Sequence, residues 1–279
     1  MGKRKGFTLV EVTLFLAITA LLFLGIAMGV QNSVFQQRYN DSTQSFLEFM
    51  RSVYSKVSNP QTTGKGDGGI EDTAIYGKLV VFGENTNLNG ATITGTDEAR
   101  SVFVYDVVGK ADTVSGKLGS GSVLGMLKDL DVAVAIVTSR NPSDGAINAA
   151  ELASPEKYTP HWGAAIEKTT SGTMFTGSIL VVRHPRSGTI NTLFYSDVIQ
   201  VNSTFKDAKS STDYSSIMNL LKDKIDSFGS DTVNFCINPD GLNMVTGTRR
   251  QNIRIAPNAR NASDVELINL DDASLNACY

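Results

Sequence analysis

The chain has 279 residues, enough for one large domain or two modest ones with a substantial hydrophobic core. Its formal net charge of −3 excludes a protein whose whole surface is built for nucleic acid. Mean hydropathy is near zero, yet the apolar residues crowd into the first thirty positions, and no second apolar run approaches the roughly 18 residues of another span, which excludes a multi-span helical membrane protein.

The chain opens MGKRKGFTLVEVTLFLAITALLFLGIAMGV, Met1 to Val30. As a helix, Phe7–Val30 would reach roughly 36 Å, enough to cross a hydrocarbon core of about 30 Å. Lys3, Arg4 and Lys5 precede it and hold the N-terminus on the cytoplasmic side, with the rest of the chain outside. A secretory signal peptide has an apolar stretch of about 7–15 residues and a small-residue cleavage site. The run here is longer and leads without a break into a helical pattern. It also carries Glu11. A charge at the centre of a membrane helix costs about 2.5–3.5 kcal/mol by insertion scales, so an intramembrane carboxylate marks a functional position. An ordinary anchor accounts for the length and the basic flank, but not for Glu11.

The stretch KGFTLVEVTLFLAI, with its short basic leader, Gly before Phe and Glu five residues into the apolar run, resembles the class III signal of type IV pilins and type II secretion pseudopilins. The resemblance covers about the first 35 residues closely. It implies residues 1–6 as a leader removed by prepilin peptidase between Gly6 and Phe7, and N-methylation of Phe7. It implies residues 7–30 as a retained transmembrane and assembly helix. Cleavage would create an α-ammonium on Phe7 for Glu11 of a neighbouring subunit to meet. Opposite charges in a low-dielectric filament core favour pairing, and a misplaced subunit would leave one charge unpaired, so the pair would act as a register device. Many pilins carry a proline late in this segment. LFLGIAMGVQ has none, but it holds Gly25 and Gly29 in a G-x-x-x-G spacing that permits close helix approach. Two such glycines also cost about 2 kcal/mol of helix propensity relative to alanine, so local melting on filament assembly is one expectation and ordinary membrane-helix glycines another.

From Gln31 the composition turns polar while the period stays helical. Phe35, Tyr39, Phe46, Phe49, Met50, Val53 and Val57 form one stripe, with Gln37, Asp41, Gln44, Glu48 and Arg51 mostly off it. Residues 31–58 are therefore the amphipathic half of a stalk whose apolar face buries against the head. Pro60 disfavours the α conformation at Asn59, so the helix should stop there, about 78 Å from Phe7.

Residues 61–279 form the expected head. QTTGKGDGG (61–69) is a loop, and its glycines follow a helix rather than a strand, which argues against dinucleotide binding. Strands are expected at Gly77–Phe82, Val102–Val108, Val132–Thr138, Ser178–Arg183, Ile190–Val201, Thr232–Asn238, Asn252–Ala256 and Val265–Leu270. Helices are expected at Ser122–Leu130 and Asp213–Phe228, the second with Asp213 as N-cap and Gly229 just past its end. No element is assigned within 138–173. The fold class is α+β: a long N-terminal helix carrying a mainly antiparallel β head, the pilin architecture that the resemblance implies.

Two cysteines, Cys236 and Cys278, would lie outside the cytoplasm, where disulfides persist. A bridge would staple the C-terminal segment to the sheet, and a C-terminal disulfide loop also resembles the family's habit. The alternative is two free thiols. The sequence has no G-x-S-x-G, H-E-x-x-H or Walker A pattern, and His184 in RHPRSG reads as a turn residue, so no enzymatic activity and no catalytic residue are expected. No cofactor or metal is expected. Calcium candidates are NPDG (238–241) and Asp271-Asp272, neither with EF-hand spacing.

Arg249, Arg250, Arg254 and Arg260 form a basic cluster. In RQNIRIAP the alternation puts Ile253 and Ile255 on one face and Arg250, Asn252 and Arg254 on the other. An outward basic strip could contact DNA phosphates, a solvated face or a subunit–subunit salt-bridge surface being the simpler reading. FCINPDG…TGTRR…IRIAPNAR is loosely similar to minor pilins related to the secretion pseudopilin H and to a DNA-uptake pilin.

The expected function is thus a prepilin-like subunit, with a head of a size that favours a minor one. Its implied partners are other pilin subunits, prepilin peptidase, an inner-membrane assembly platform and membrane lipid. It would sit single-pass in the bacterial cytoplasmic membrane before assembly, and in a surface pilus or periplasmic pseudopilus afterwards. The alternatives are a DNA-binding minor pilin and a plain membrane-anchored surface protein.

Overall fold

A computed structural model describes residues 8–59, 73–83, 100–110, 135–136, 156–168, 174–184, 187–199, 224–238 and 251–268. Helix α1 runs unbroken over Leu9–Ser58, 50 residues or about 75 Å. It starts two residues later than expected because Thr8, in extended conformation, is its N-cap. It ends at the expected place, with Asn59 as C-cap (φ −109°, ψ 83°), outside the helical region as a residue before proline must be. In the single subunit the helix is continuous through Gly25 and Gly29.

The described residues of the head form two antiparallel sheets. The strands of the first are β1 (Thr73–Phe82), β2 (Val102–Lys110), β3 (Ala135–Ile136), β4 (Glu156–Tyr158), β6 (Gly177–Arg183) and β7 (Ile190–Tyr195). Their order is β3-β2-β1-β6-β7, with β4 pairing the other end of β2's outer edge. The second sheet is built from β5 (Ala165–Lys168), β8 (Val233–Asn238), β9 (Gln251–Ile255) and β10 (Val265–Ile268), in the order β10-β9-β8-β5. The α+β class and the antiparallel character agree with expectation. So do the main strands, to within a few residues at their ends, except that the strand expected over Ile190–Val201 stops at Tyr195, with residues 196–199 outside any strand.

The second half of α1 is the centre of the core. Tyr39, Phe46, Phe49, Met50, Val53 and Val57 are buried as the stripe predicts, joined by Leu47 and Tyr54, while Phe35 is only half-buried. They pack on the inner faces of both sheets: Val80, Phe82, Val102, Val104, Ile179 and Val181 from the first, and Ile166, Val233, Phe235, Ile237, Ile253, Ile255 and Val265 from the second. Phe46 is wholly buried, with its ring 5.6 Å from Phe235 and 6.4 Å from Phe82, both edge-on. The reverse face of the first sheet, including Leu79, Val81, Phe103, Tyr105, Leu180 and Val182, is buried as well. Burial on both faces explains why its strands read as nearly continuous apolar runs (KLVVF, SILVVR) rather than alternating ones.

Three further details differ from the sequence reading. The unassigned stretch 138–173 contributes β4, β5 and a 3-10 turn at His161–Gly163. At the end of the expected second helix, Ile225–Ser227 is a 3-10 turn rather than α-helix. Gly229 does not cap that helix in the left-handed region. It makes an antiparallel bridge with Phe194, exchanging both backbone hydrogen bonds (2.7 and 2.8 Å), and so extends the edge of the first sheet. The remainder of that helix, Ser122–Leu130, loop 61–69 and most of Val132–Thr138 lie outside the described residues.

Candidate functional site: the exposed half of the helix

The two halves of α1 have opposite surroundings. From Leu9 to Val30 the large apolar side chains are exposed, Leu9 by 80%, Phe23 by 71% and Val30 by 56%. The apolar window is long enough to cross a membrane, and none of it is buried inside the structure. A soluble protein's core helix would be covered by its own fold. A helix that is apolar all round and uncovered needs an apolar solvent or another helix.

At its start, Thr8 and Glu11 form a capping box. The Thr8 N–H donates to Glu11 Oε2 at 2.8 Å and the Thr8 hydroxyl to the same oxygen at 3.0 Å. The Glu11 N–H donates to Thr8 Oγ1 at 3.3 Å. Thr8-x-x-Glu11 directly before an apolar run is a recognisable helix-start signal that the sequence reading missed. It gives Glu11 a partner within its own chain: the carboxylate satisfies a backbone donor that has no intrahelical acceptor. Gly6 and Phe7, the expected processing residues, lie outside the described residues. A Cβ built at Gly25 or Gly29 meets nothing within 4 Å, so nothing in this chain requires glycine at either position.

In the head, Cys236 lies on β8 and is disulfide-bonded. In register it stands between Glu167 of β5 and Asn252 of β9, a row on the outer face of the second sheet that is nonetheless buried. Cys278 lies outside the described residues.

Of the arginine cluster, Arg249 and Arg250 lie outside the described residues. Arg254 is half-buried and stands in register between Asn234 and Glu266, so its cross-strand neighbour is acidic. Arg260 is exposed, with its backbone N–H donating to Asp264 Oδ2 at 2.6 Å. Asn252, expected on an outward face, is 2% exposed, a correction that follows from the covered row around Cys236.

His184 is held in a turn, its Nδ1 accepting from the Ser187 N–H at 3.1 Å. Among the described residues no group of three or more His, Cys, Asp or Glu side chains converges on a metal-sized site. Of the calcium candidates only Asn238 is described, and its Nδ2 donates to Glu167 Oε1 at 2.6 Å.

No protein-family model matches this chain, and searches of curated proteins and of solved structures find no match to it.

Proposed function

We propose that this chain is a type IV pilin-like subunit, cut between Gly6 and Phe7 and assembled through its N-terminal helix into a pilus or pseudopilus. The observation that carries the reading is the division of α1. One continuous helix presents an uncovered apolar half bearing a single carboxylate, and its other half is the core of an antiparallel head. Such a molecule stores its apolar half in a bilayer and exchanges lipid for neighbouring helices on assembly. The leader-like sequence before Phe7 supports the same reading, as does the position of Glu11.

Glu11 would then have two successive partners. In the single subunit it caps its own helix through Thr8, which lowers the cost of holding a carboxylate in hydrocarbon. In the filament the Phe7 ammonium of a neighbour would take over one of its oxygens. The exchange trades a neutral donor for a charged one, and charge-assisted hydrogen bonds are roughly twice as strong as neutral ones.

The test is Gly6→Leu in the host. On this reading the variant accumulates as uncleaved, unassembled precursor in the membrane. A plain anchored surface protein would show no change in mass or display.

A further inference from the structure

Outside α1, the described residues expose one large apolar side chain, Trp162, at 58%. It is also the chain's single tryptophan. It occupies the middle of the His161–Gly163 turn at φ 59°, ψ 26°, in the left-handed region that a bulky residue rarely enters. The turn is braced: Arg100 donates to the Gly163 carbonyl at 2.8 Å, and the Ala164 N–H to the His161 carbonyl at 3.2 Å. The fold thus holds an indole in solvent at the expense of backbone strain, and strain of this kind points to a use.

The position of the ring indicates the use. The Arg38 guanidinium lies 4.7 Å from its centroid. Arg38 is eight residues beyond Val30, about 12 Å along α1. Val34, still 37% exposed, carries apolar surface to within one turn of Arg38. Val30, Val34 and Arg38 follow one another at i, i+4 and i+8, on the same side of the helix. Helical side chains lean toward the N-terminus, which here is toward the apolar half. The Trp162–Arg38 pair therefore sits at the base of the head, at the top of the uncovered apolar ridge. Indole rings with one wet edge concentrate where hydrocarbon meets headgroups, and arginine keeps its guanidinium there while its stem lies along apolar surface.

We propose that Trp162, backed by Arg38, is an interfacial anchor that seats the base of the head in the lipid headgroup layer while the subunit waits in the membrane. The anchor fixes how far α1 is inserted and how the head is turned about it. The inference rests on the membrane insertion of α1 proposed above.

The single tryptophan lets the full-length chain report on itself. It is reconstituted in phosphatidylcholine–phosphatidylglycerol vesicles. Trp162 emission should shift to the blue relative to detergent-free solvent-exposed indole, be quenched at least about twofold by lipids brominated high on the acyl chain, and be shielded from iodide. The double variant Trp162→Phe, Leu22→Trp tests the underlying reading separately, and deep-brominated lipid should quench it. Failure of that quenching overturns membrane insertion and the anchor together. Quenching there, with Trp162 open to iodide and untouched by brominated lipid, overturns the anchor alone. Shielding of Trp162 that grows with protein density but not with lipid bromination also overturns it, and assigns the ring to a second copy of the chain. Trp162→Gly, which suits the left-handed backbone, should leave the thermal midpoint within about 3 °C, whereas a packing role for the indole would lower it further.

Discussion

The hydroxyl of Tyr39 on the stalk helix donates to the backbone carbonyl of Ile237 on β8 at 3.1 Å and accepts from the backbone N–H of Gln251 on β9. One side chain thus closes two backbone groups at the ends of adjacent strands, 198 and 212 residues away in sequence. Tyr39→Phe keeps the ring and removes both hydrogen bonds, one at the buried Ile237 carbonyl and one at the half-buried Gln251. The expected loss is about 1–3 kcal/mol of unfolding free energy, read by urea denaturation. Equal stability of the variant would mean that the stalk is held by apolar packing alone.

A second tyrosine gives a pH signature. Tyr54 donates to Thr192 Oγ1 at 2.8 Å, and Thr192 in turn donates to the Ala259 carbonyl at 2.8 Å. Burial pushes the Tyr54 phenol well above its ordinary value of 10.0. Burial also raises Tyr158, against a hydrogen bond to Ser45. Both phenols are harder to ionise in the folded chain than in the unfolded one. Their contribution to stability is complete below about pH 10 and is lost as pH rises above it. For the deeply buried Tyr54 the loss is up to about 1.4 kcal/mol per pH unit, and it is smaller for the partly exposed Tyr158. Tyr54→Phe should be less stable than the parent at neutral pH and should lose stability less steeply between about pH 10 and 11. Parallel alkaline profiles for the two proteins would contradict the assignment.

Gly77 lies where β1 shifts register against β2, between Ile75 and Gly77. A Cβ there would run into the Val181 carbonyl of β6, which is backbone and cannot swing away. Gly77→Ala should therefore cost about 1–3 kcal/mol and lower the thermal midpoint, as overpacking does. An unchanged midpoint would show that β1 and β6 separate at this end without cost.

The buried row Glu167–Cys236–Asn252 needs a cover on the outer face of the second sheet. Cys278 is the only other cysteine in the chain, and its pairing with Cys236 would bring the C-terminal segment over that row. Non-reducing peptide mapping should recover Cys236 and Cys278 in one linked peptide, and Cys236→Ser should cost about 2–5 kcal/mol. Alkylation of both thiols in the native protein without reductant would contradict the bridge.

Much of this architecture was legible because the signals were local. The stalk stripe from Tyr39 to Val57 and the stop before Pro60 follow from helical period and proline sterics, and both are found in place. The apolar runs of β1, β2 and β6 were recognisable by their β-branched and aromatic content. What was missed lies where short segments are defined by partners far along the chain. The three residues of β4 are a strand only because Val102–Val104 pair with them, and β5 only because β8 does. Gly229 follows a helical pattern, but its backbone is taken by Phe194. Nothing in HWG announces a tryptophan at positive φ, since one brace of that turn, the hydrogen bond from Arg100 to the Gly163 carbonyl, comes from far along the chain. For the candidate site, the apolar run and Glu11 were plain, while the Thr8 cap was readable and overlooked.

The division of α1 into a covered and an uncovered half leaves one central claim, that the uncovered half is processed and kept as an assembly helix. The most direct measurement is the intact mass of the protein extracted from host membranes. The account predicts a chain lacking Met1–Gly6 and carrying one methyl group on Phe7. A chain cut after the apolar run, or one retaining its leader, would contradict it.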